Sequence, residues 1–194
     1  EPGFHFGTVS TLSADLGNTS IFPALLSGGC LHIISHELAM DGGAFAEYST
    51  RHELDVLKIV PSHFSALLAE GGVGVLPQRF LILGGEALSL DLATRIREAA
   101  TSPAKPIREA PCRVINHYGP TETTIGALTF ELPSVFASSW GSTFVPIGRP
   151  IANTQSYILD ENMKLSPLGV PGELYIGGAG VGIGYLNRPA QTAE

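Results

Sequence analysis

From Phe6 to Asn116 the chain alternates short, nearly continuous apolar runs with longer stretches of helical period, and this alternation most narrows the folds open to it. The apolar runs are Phe6–Leu12, Cys30–Ile34, Val56–Val60, Arg79–Leu83 and Arg113–Asn116. The helical patterns lie near Thr19–Leu26, Gly43–His52, Ser62–Glu70 and Leu90–Ala100. Strands this short, with no regularly polar face, are expected where both faces of a sheet are covered. Strand–helix–strand order then calls for right-handed crossovers, and so for a doubly wound, mostly parallel α/β sheet.

After Ile125 the texture changes. Glycine, proline and turn residues become dense, and the strands Gln155–Leu159 and Glu173–Ile176 follow without helices between them. Phe144–Gly184 reads as a small β-rich lobe, part of a barrel, with Ser134–Ser142 as a surface connection. The expected division is a flavodoxin-like subdomain over residues 1–130 and a β-rich subdomain over 131–194. Glu1-Pro2-Gly3 runs straight into a strand without a start methionine, as expected for a piece of a longer chain.

A net charge of -7 and the absence of any run of like charge argue against a nucleic-acid partner, which requires a basic stripe. No apolar run is long enough to cross a bilayer, and no signal peptide opens the chain, so a cytoplasmic location is expected. Cys30 and Cys112 match no metal or redox spacing and read as buried free thiols in a reducing compartment, with a single disulfide as the alternative.

Ligands of an open parallel sheet bind in the crevice beyond the carboxyl ends of its strands. Several unusual residues fall at such ends. Asp15 follows the first strand, Lys58 interrupts the third, Gly84-Gly85-Glu86 closes the fourth, and Asn116-His117-Tyr118-Gly119 closes the fifth. A lysine inside a buried strand is costly unless its amine reaches water from an edge strand or meets an anion. Alone, Asp15 reads as a helix cap and His117 as a core histidine. Together they place one anion and one or two potential cations at corresponding strand ends, which suits a small ligand bearing an ammonium and a carboxylate. Gly84 and Gly85 are turn punctuation, or they let a flat ring lie against the backbone with Tyr118 stacked on its other face. Thr121, Glu122, Thr123 and Thr124 read either as a helix N-terminus or as oxygen donors for phosphate and Mg²⁺.

Asn116-His117-Tyr118-Gly119-Pro120-Thr121-Glu122 resembles the nucleotide-binding core motif of nonribosomal peptide synthetase adenylation domains. Gly172-Glu173-Leu174-Tyr175-Ile176-Gly177-Gly178-Ala179-Gly180-Val181, continuing to Gly184-Tyr185-Leu186, resembles a later motif of the same family, and Gly84-Gly85-Glu86-Ala87 resembles its adenine-facing segment. The resemblance covers essentially the whole chain. It implies an enzyme that joins an amino acid to ATP as aminoacyl-AMP and passes the acyl group to the phosphopantetheine thiol of a partner carrier domain. Peptidyl carrier and condensation domains would be its neighbours.

By the family pattern, Asn116 bonds the adenine amino group, Tyr118 stacks on the ring beside Gly84, Gly85, Glu86 and Gly119, Thr121 contacts phosphate, and Glu122 holds Mg²⁺. Aligned through the motifs, the substrate pocket is lined by Asp15, Leu16, Thr19, Lys58, Ile82, Gly84, His117, Ile125 and Gly126. Asp15 resembles the clamp for the substrate α-ammonium, and the set resembles the pattern for aspartate or β-methylaspartate. Lys58 and His117 would face the side-chain carboxylate, with small Gly84 and Gly126 leaving room.

The family's Ser/Thr/Gly-rich phosphate loop is expected upstream of Glu1. The ribose-binding aspartate and the mobile lobe with its catalytic lysine are expected beyond Glu194. An isolated piece of this extent would be inactive. Gly182-Ile183 stands where the family often has Ala-Arg. A non-catalytic nucleotide-binding module and an acyl-CoA synthetase fragment are the alternatives, the latter disfavoured because a fatty acid has no α-ammonium for Asp15. His32, His36, His52 and the Ser62-His63 pair fit no catalytic constellation and read as structural or surface residues.

Overall fold

The computed structural model describes residues 3–11, 13–102, 111–133 and 142–193. A seven-stranded sheet forms in the order β2-β1-β3-β4-β5-β6-β7. Its strands are β1 (His5–Thr8), β2 (Cys30–Ile33), β3 (Val56–Ile59), β4 (Phe80–Gly84), β5 (Arg113–Tyr118), β6 (Leu128–Glu131) and β7 (Arg149–Pro150). The first five are mutually parallel, while β6 and β7 run antiparallel to their neighbours. The helices are α1 (Asn18–Ser27), α2 (His36–Ala39), α3 (Gly42–Arg51), α4 (Pro61–Gly71), α5 (Leu90–Ala100) and α6 (Pro189–Thr192). A separate antiparallel pair, β8 (Thr154–Leu159) and β9 (Glu173–Gly178), lies within the expected β-rich stretch. Phe144–Gly184 thus supplies both this pair and β7 of the large sheet.

The alternation in the sequence becomes two unequal faces. Leu57, Ile59, Leu81, Leu83 and Val114 join Phe45, Phe64, Leu67, Ile96 and Ala93 in one core under α3, α4 and α5. Truncating Phe45 or Phe64, both fully buried, would cost about 3–5 kcal/mol. On the opposite face a smaller cluster of Phe6, Ala24 and Val56 lies against Phe80 and Ile82. Local chemistry sets the helix starts. Asp41 accepts from Ala44 N at 2.8 Å and Ser89 from Leu92 N at 3.2 Å, each satisfying a first-turn N–H that the helix cannot.

Three expectations change. The first strand ends at Thr8, because the chain turns at Asp15–Gly17 into a short 3-10 helix that leads into α1; Leu12 lies outside the described residues. Cys30 is exposed, since β2 is the outermost strand, and both cysteines are free thiols; Cys112 is buried as expected. The short α2 has no helical period of its own in the sequence and depends on the Ser35 cap, whose hydroxyl accepts from Leu38 N. The Ser134–Ser142 connection falls almost wholly outside the described residues. Among the described residues no helix is long and apolar enough to cross a membrane.

Candidate active site

β3 is the middle strand of the parallel set, so Lys58 is not an edge lysine. Its side chain is 1% exposed, and Nζ lies 2.9 Å from His117 Nδ1. Register explains the meeting. Thr8 pairs with Lys58, Lys58 with Ile82 and Ile82 with Ile115, so these residues share the thinly covered face, and Gly84 and His117 continue it two residues on.

The electrostatics decide between the one and two cations that the sequence leaves open. Burial, with a smaller contribution from Lys58, lowers the His117 pKa to about 4, so the ring is neutral at neutral pH. Burial lowers Lys58 to about 8, opposed by the nearby Asp15 charge. The pair therefore carries one positive charge rather than two. With the ammonium protonated, Lys58 donates to Nδ1 and the ring proton sits on Nε2.

That cation has no ion-pair partner among the described residues; those that pair are Arg51, Arg79 and Arg113. Asp15 Oδ2 is buried and has no hydrogen-bond partner, and the same holds for Thr8 Oγ1 and Thr19 Oγ1. A buried cation, a buried carboxylate oxygen and unpartnered hydroxyls would each cost stability unless a ligand satisfied them.

Two glycines make the approach possible. A Cβ on Gly126 would stand 1.8 Å from His117 Nε2, and one on Gly84 would stand 2.5 Å from Lys58 Nζ and 2.4 Å from the His117 carbonyl oxygen. Leu16 reaches the same place from the 3-10 turn, its Cδ1 3.6 Å from where a Gly85 Cβ would sit. Ile125 has a left-handed φ of 73° after Thr124 at 59°, a turn that brings Gly126 beneath His117. Lys58, Gly84, His117 and Gly126 are thus neighbours, with the Asp15 charge near enough to act on Lys58 and Leu16 beside Gly85. Ile82 belongs to the adjoining Phe6–Ala24 cluster.

Because side chains alternate along β5, Asn116 points to the other face from His117. It is buried and donates from Nδ2 to the Pro146 carbonyl at 2.9 Å, so its Oδ1 remains an acceptor. A cavity of about 430 Å³ opens there, lined by Gly85, Ala87, Asn116, Tyr118, Phe144 and Ile147 among others. Tyr118 is 38% exposed at its mouth. The left-handed Gly85, at φ 85°, turns the backbone along one wall, and the stretch around Phe144 closes another through Leu90 N–Thr143 O and Val145 N–Leu88 O bonds of 2.9 and 2.8 Å. Glu86 lines this cavity, but its carboxylate is committed to the start of α4, accepting from Ser62 N at 2.9 Å and Ser62 Oγ at 2.8 Å.

Thr121 and Glu122 start a 3-10 turn whose residues are held by the later glycine-rich segment. Gly182 N donates to the Glu122 carbonyl at 2.7 Å, Thr124 Oγ1 donates to the Gly180 carbonyl at 2.6 Å, and the Tyr185 hydroxyl donates to Glu122 Oε1. The Tyr185 bond holds the Glu122 pKa below the usual carboxylate range. Thr121, Glu122, Gly182, Gly184 and Tyr185 line a second cavity of about 420 Å³. Pro146 and Phe144 carry no sequence signal for these contacts, Tyr185 is expected only as part of the later motif, and Ser62 only as a structural or surface residue. Tyr185 alone carried a signal, as the aromatic residue after the glycine run.

A crevice at the carboxyl ends of parallel strands, with a buried unpaired lysine and an unpartnered carboxylate oxygen on one side and an aromatic-walled cavity on the other, is the arrangement of a small-molecule-binding domain. The chain belongs to the AMP-binding enzyme family, whose model matches residues 3–186. It is 41% identical over 191 residues to bacitracin synthase 3 of Bacillus licheniformis, covering 96% of this chain and 3% of that protein. It is 37% identical over 188 residues to tyrocidine synthase 1 of Brevibacillus parabrevis, covering 97% of this chain and 16% of that protein. The chain therefore spans a small part of these curated relatives. Its fold matches a four-domain nonribosomal peptide synthetase bound to AMP and glycine, at a TM-score of 0.81 and 29% identity over 98% of this chain and 13% of that one. It also matches the Vibrio cholerae adenylation domain AlmE in complex with glycyl-adenosine-5'-phosphate, at a TM-score of 0.78 and 28% identity over 100% of this chain and 35% of that one.

Proposed function

We propose that the chain is the substrate-selecting and adenine-binding core of an adenylation domain that activates aspartate or a β-substituted aspartate as aminoacyl-AMP. The observation that carries this reading is the buried Lys58–His117 contact facing an unpartnered Asp15 carboxylate oxygen. Asp15 receives the substrate α-ammonium. Lys58 receives the side-chain carboxylate, with His117 fixing its amine through Nδ1. A carboxylate in this position would give the buried cation the counter-charge that the protein does not supply. Two solved relatives in complex with glycine and AMP, or with glycyl-AMP, support the amino-acid class.

Adenine lies in the cavity between Gly85 and Tyr118, where the Asn116 Oδ1 accepts from its exocyclic amine. The donor set fits Mg²⁺: the Glu122 carboxylate and the Thr121 hydroxyl line the same cavity, and both are hard oxygen ligands. When bound there, Mg²⁺ offsets charge on the phosphoryl oxygens as the carboxylate attacks the α-phosphorus and pyrophosphate leaves. Tyr185 holds Glu122 Oε1 and so restricts the orientation of the carboxylate. The adenylate's acyl group then passes to a carrier-domain phosphopantetheine thiol, with condensation domains adjacent in the parent synthetase. The α/β subdomain over residues 1–130 and the β-rich subdomain over 131–194 belong to the same reading, with β6 and β7 joining the second to the large sheet.

ATP–pyrophosphate exchange on the intact parent domain with a panel of amino acids tests the reading. Exchange with aspartate or its β-substituted forms is expected. Robust exchange with leucine and none with aspartate would overturn it.

A further inference from the structure

Away from the crevice, on the outer edge of the sheet, three side chains with metal-binding atoms converge. Parallel register sets His5 against Cys30 and Gly7 against His32, so His5, Cys30 and His32 all project from one face of the β1–β2 pair. Their donor atoms lie within 4.8 Å of one another. The two imidazoles face each other nitrogen to nitrogen, with His5 Nδ1 2.8 Å from His32 Nε2. The far nitrogen of His32, Nδ1, lies 2.8 Å from the Tyr48 hydroxyl on α3. His52 stacks on Tyr48 and approaches His32, with ring centroids 4.3 and 5.5 Å apart respectively. On the β1 side, the His5 backbone N–H donates to Asp55 Oδ2 at 2.9 Å.

We propose that His5, Cys30 and His32 form a binding site for a divalent transition-metal ion of borderline softness, best matched by Zn²⁺. The donor set is one thiolate and two imidazoles, a combination that Zn²⁺ takes with the fourth position left to water. Tetrahedral Zn²⁺, with bonds of about 2.3 Å to sulfur and about 2.0–2.1 Å to nitrogen, puts its donors roughly 3.3–3.6 Å apart. Small side-chain rotations reach that spacing, and Cys30 is exposed and free to turn. The Tyr48 oxygen supplies what a metal-bound histidine requires, an acceptor for the N–H of its other nitrogen.

The protons balance. The short contact between the two rings is a hydrogen bond, with one proton between the facing nitrogens. On binding it moves to the far nitrogen of its own ring, as when His32 comes to donate from Nδ1 to Tyr48. The Cys30 thiol gives its proton to solvent and the sulfur takes the metal. The site stands apart from the adenylation reading, since none of its residues lines the crevice.

Zn²⁺ and Co²⁺ titrations of the purified chain test it, compared with Cys30→Ser, His32→Gln and Tyr48→Phe. The wild type should take up one equivalent of Zn²⁺ with release of about one proton, and the Co²⁺ form should show a thiolate-to-metal charge-transfer band. Cys30→Ser, at an exposed position the fold tolerates, should abolish that band. His32→Gln should lower affinity at least tenfold, and Tyr48→Phe about 10–100-fold. Binding of less than one equivalent, or affinity unchanged in Cys30→Ser, would show that the histidine pair is only a structural hydrogen bond and overturn the proposal. Neither result bears on ATP–pyrophosphate exchange, so failure here is distinct from failure of the adenylation reading.

Discussion

Lys58 and His117 meet across the strand that separates them, Nζ to Nδ1 at 2.9 Å, with the Gly84 end of β4 left bare of side chain between them. The cation is buried, its partner is neutral, and the carboxylate oxygen of Asp15 nearby has no hydrogen bond. Holding such a set without ligand costs stability, and that cost is a measure of what the site is built to bind.

Replacing Lys58 with Met, of similar volume, should therefore raise the stability of the ligand-free chain, by about 1–3 kcal/mol at neutral pH. Denaturant unfolding at several pH values checks this. Burial holds the folded-state pKa of Lys58 at about 8, below its ordinary value of 10.5. Between the two the unfolded chain holds a proton that the folded chain has released, so wild-type stability rises with pH across that window. The advantage of Lys58→Met should be full below about pH 8 and vanish above about pH 10.5. An advantage that does not change with pH would place the lysine in solvent.

The same substitution should lower exchange with acidic substrates in the intact parent domain by about 100-fold or more, since removing one partner of a buried charge pair costs about 3–5 kcal/mol. Exchange with neutral amino acids should not fall in step. Unchanged preference would remove Lys58 from the pocket.

Gly126→Ala should abolish selection while leaving the fold intact, because the new methyl can be accommodated only by moving His117. A KM for aspartate raised about tenfold or more, with unfolding midpoints close to wild type, is the expected pattern. A wild-type KM would show that the His117 ring is not held where Gly126 leaves space for it.

Glu86→Gln tests a structural role. Its carboxylate accepts two bonds from Ser62 at the positive end of α4, so losing the charge should cost about 0.5–2 kcal/mol in denaturant unfolding. A variant as stable as the wild type would mean the contact contributes little, and would free Glu86 for the nucleotide.

Tyr185→Phe should move the acid limb of the parent domain's exchange activity to higher pH. The Tyr185 bond is the main cause of the low Glu122 pKa, so its loss lets the carboxyl protonate at higher pH. A pH profile that does not move would separate Glu122 ionisation from activity.

The crevice was legible in the sequence where a residue broke the pattern of its own segment. A lysine inside Val56–Val60 stands out against four apolar neighbours, and the sheet order then excludes the edge-strand reading. Long segments such as α5 were found to the residue because helical period over several turns is a strong signal. Contacts that depend on a distant return of the chain were not legible. Nothing in Pro146 marks it as the acceptor for Asn116, and nothing in Ser62 marks it as the partner of Glu86. Cys30 was misread because an edge strand carries the same apolar residues as a central one. His32 reads as a structural or surface residue and His5 carries no signal of its own, because only strand register puts the two face to face.

The most direct test uses two substrates that differ by one charge at nearly constant shape. In the intact parent domain, kcat/KM for exchange with aspartate should exceed that with asparagine by about 10–1,000-fold, since a desolvated Lys58 would otherwise face a neutral amide. Equal values for the two, or a preference for asparagine, would contradict the assignment of Lys58 as the residue that reads the substrate carboxylate.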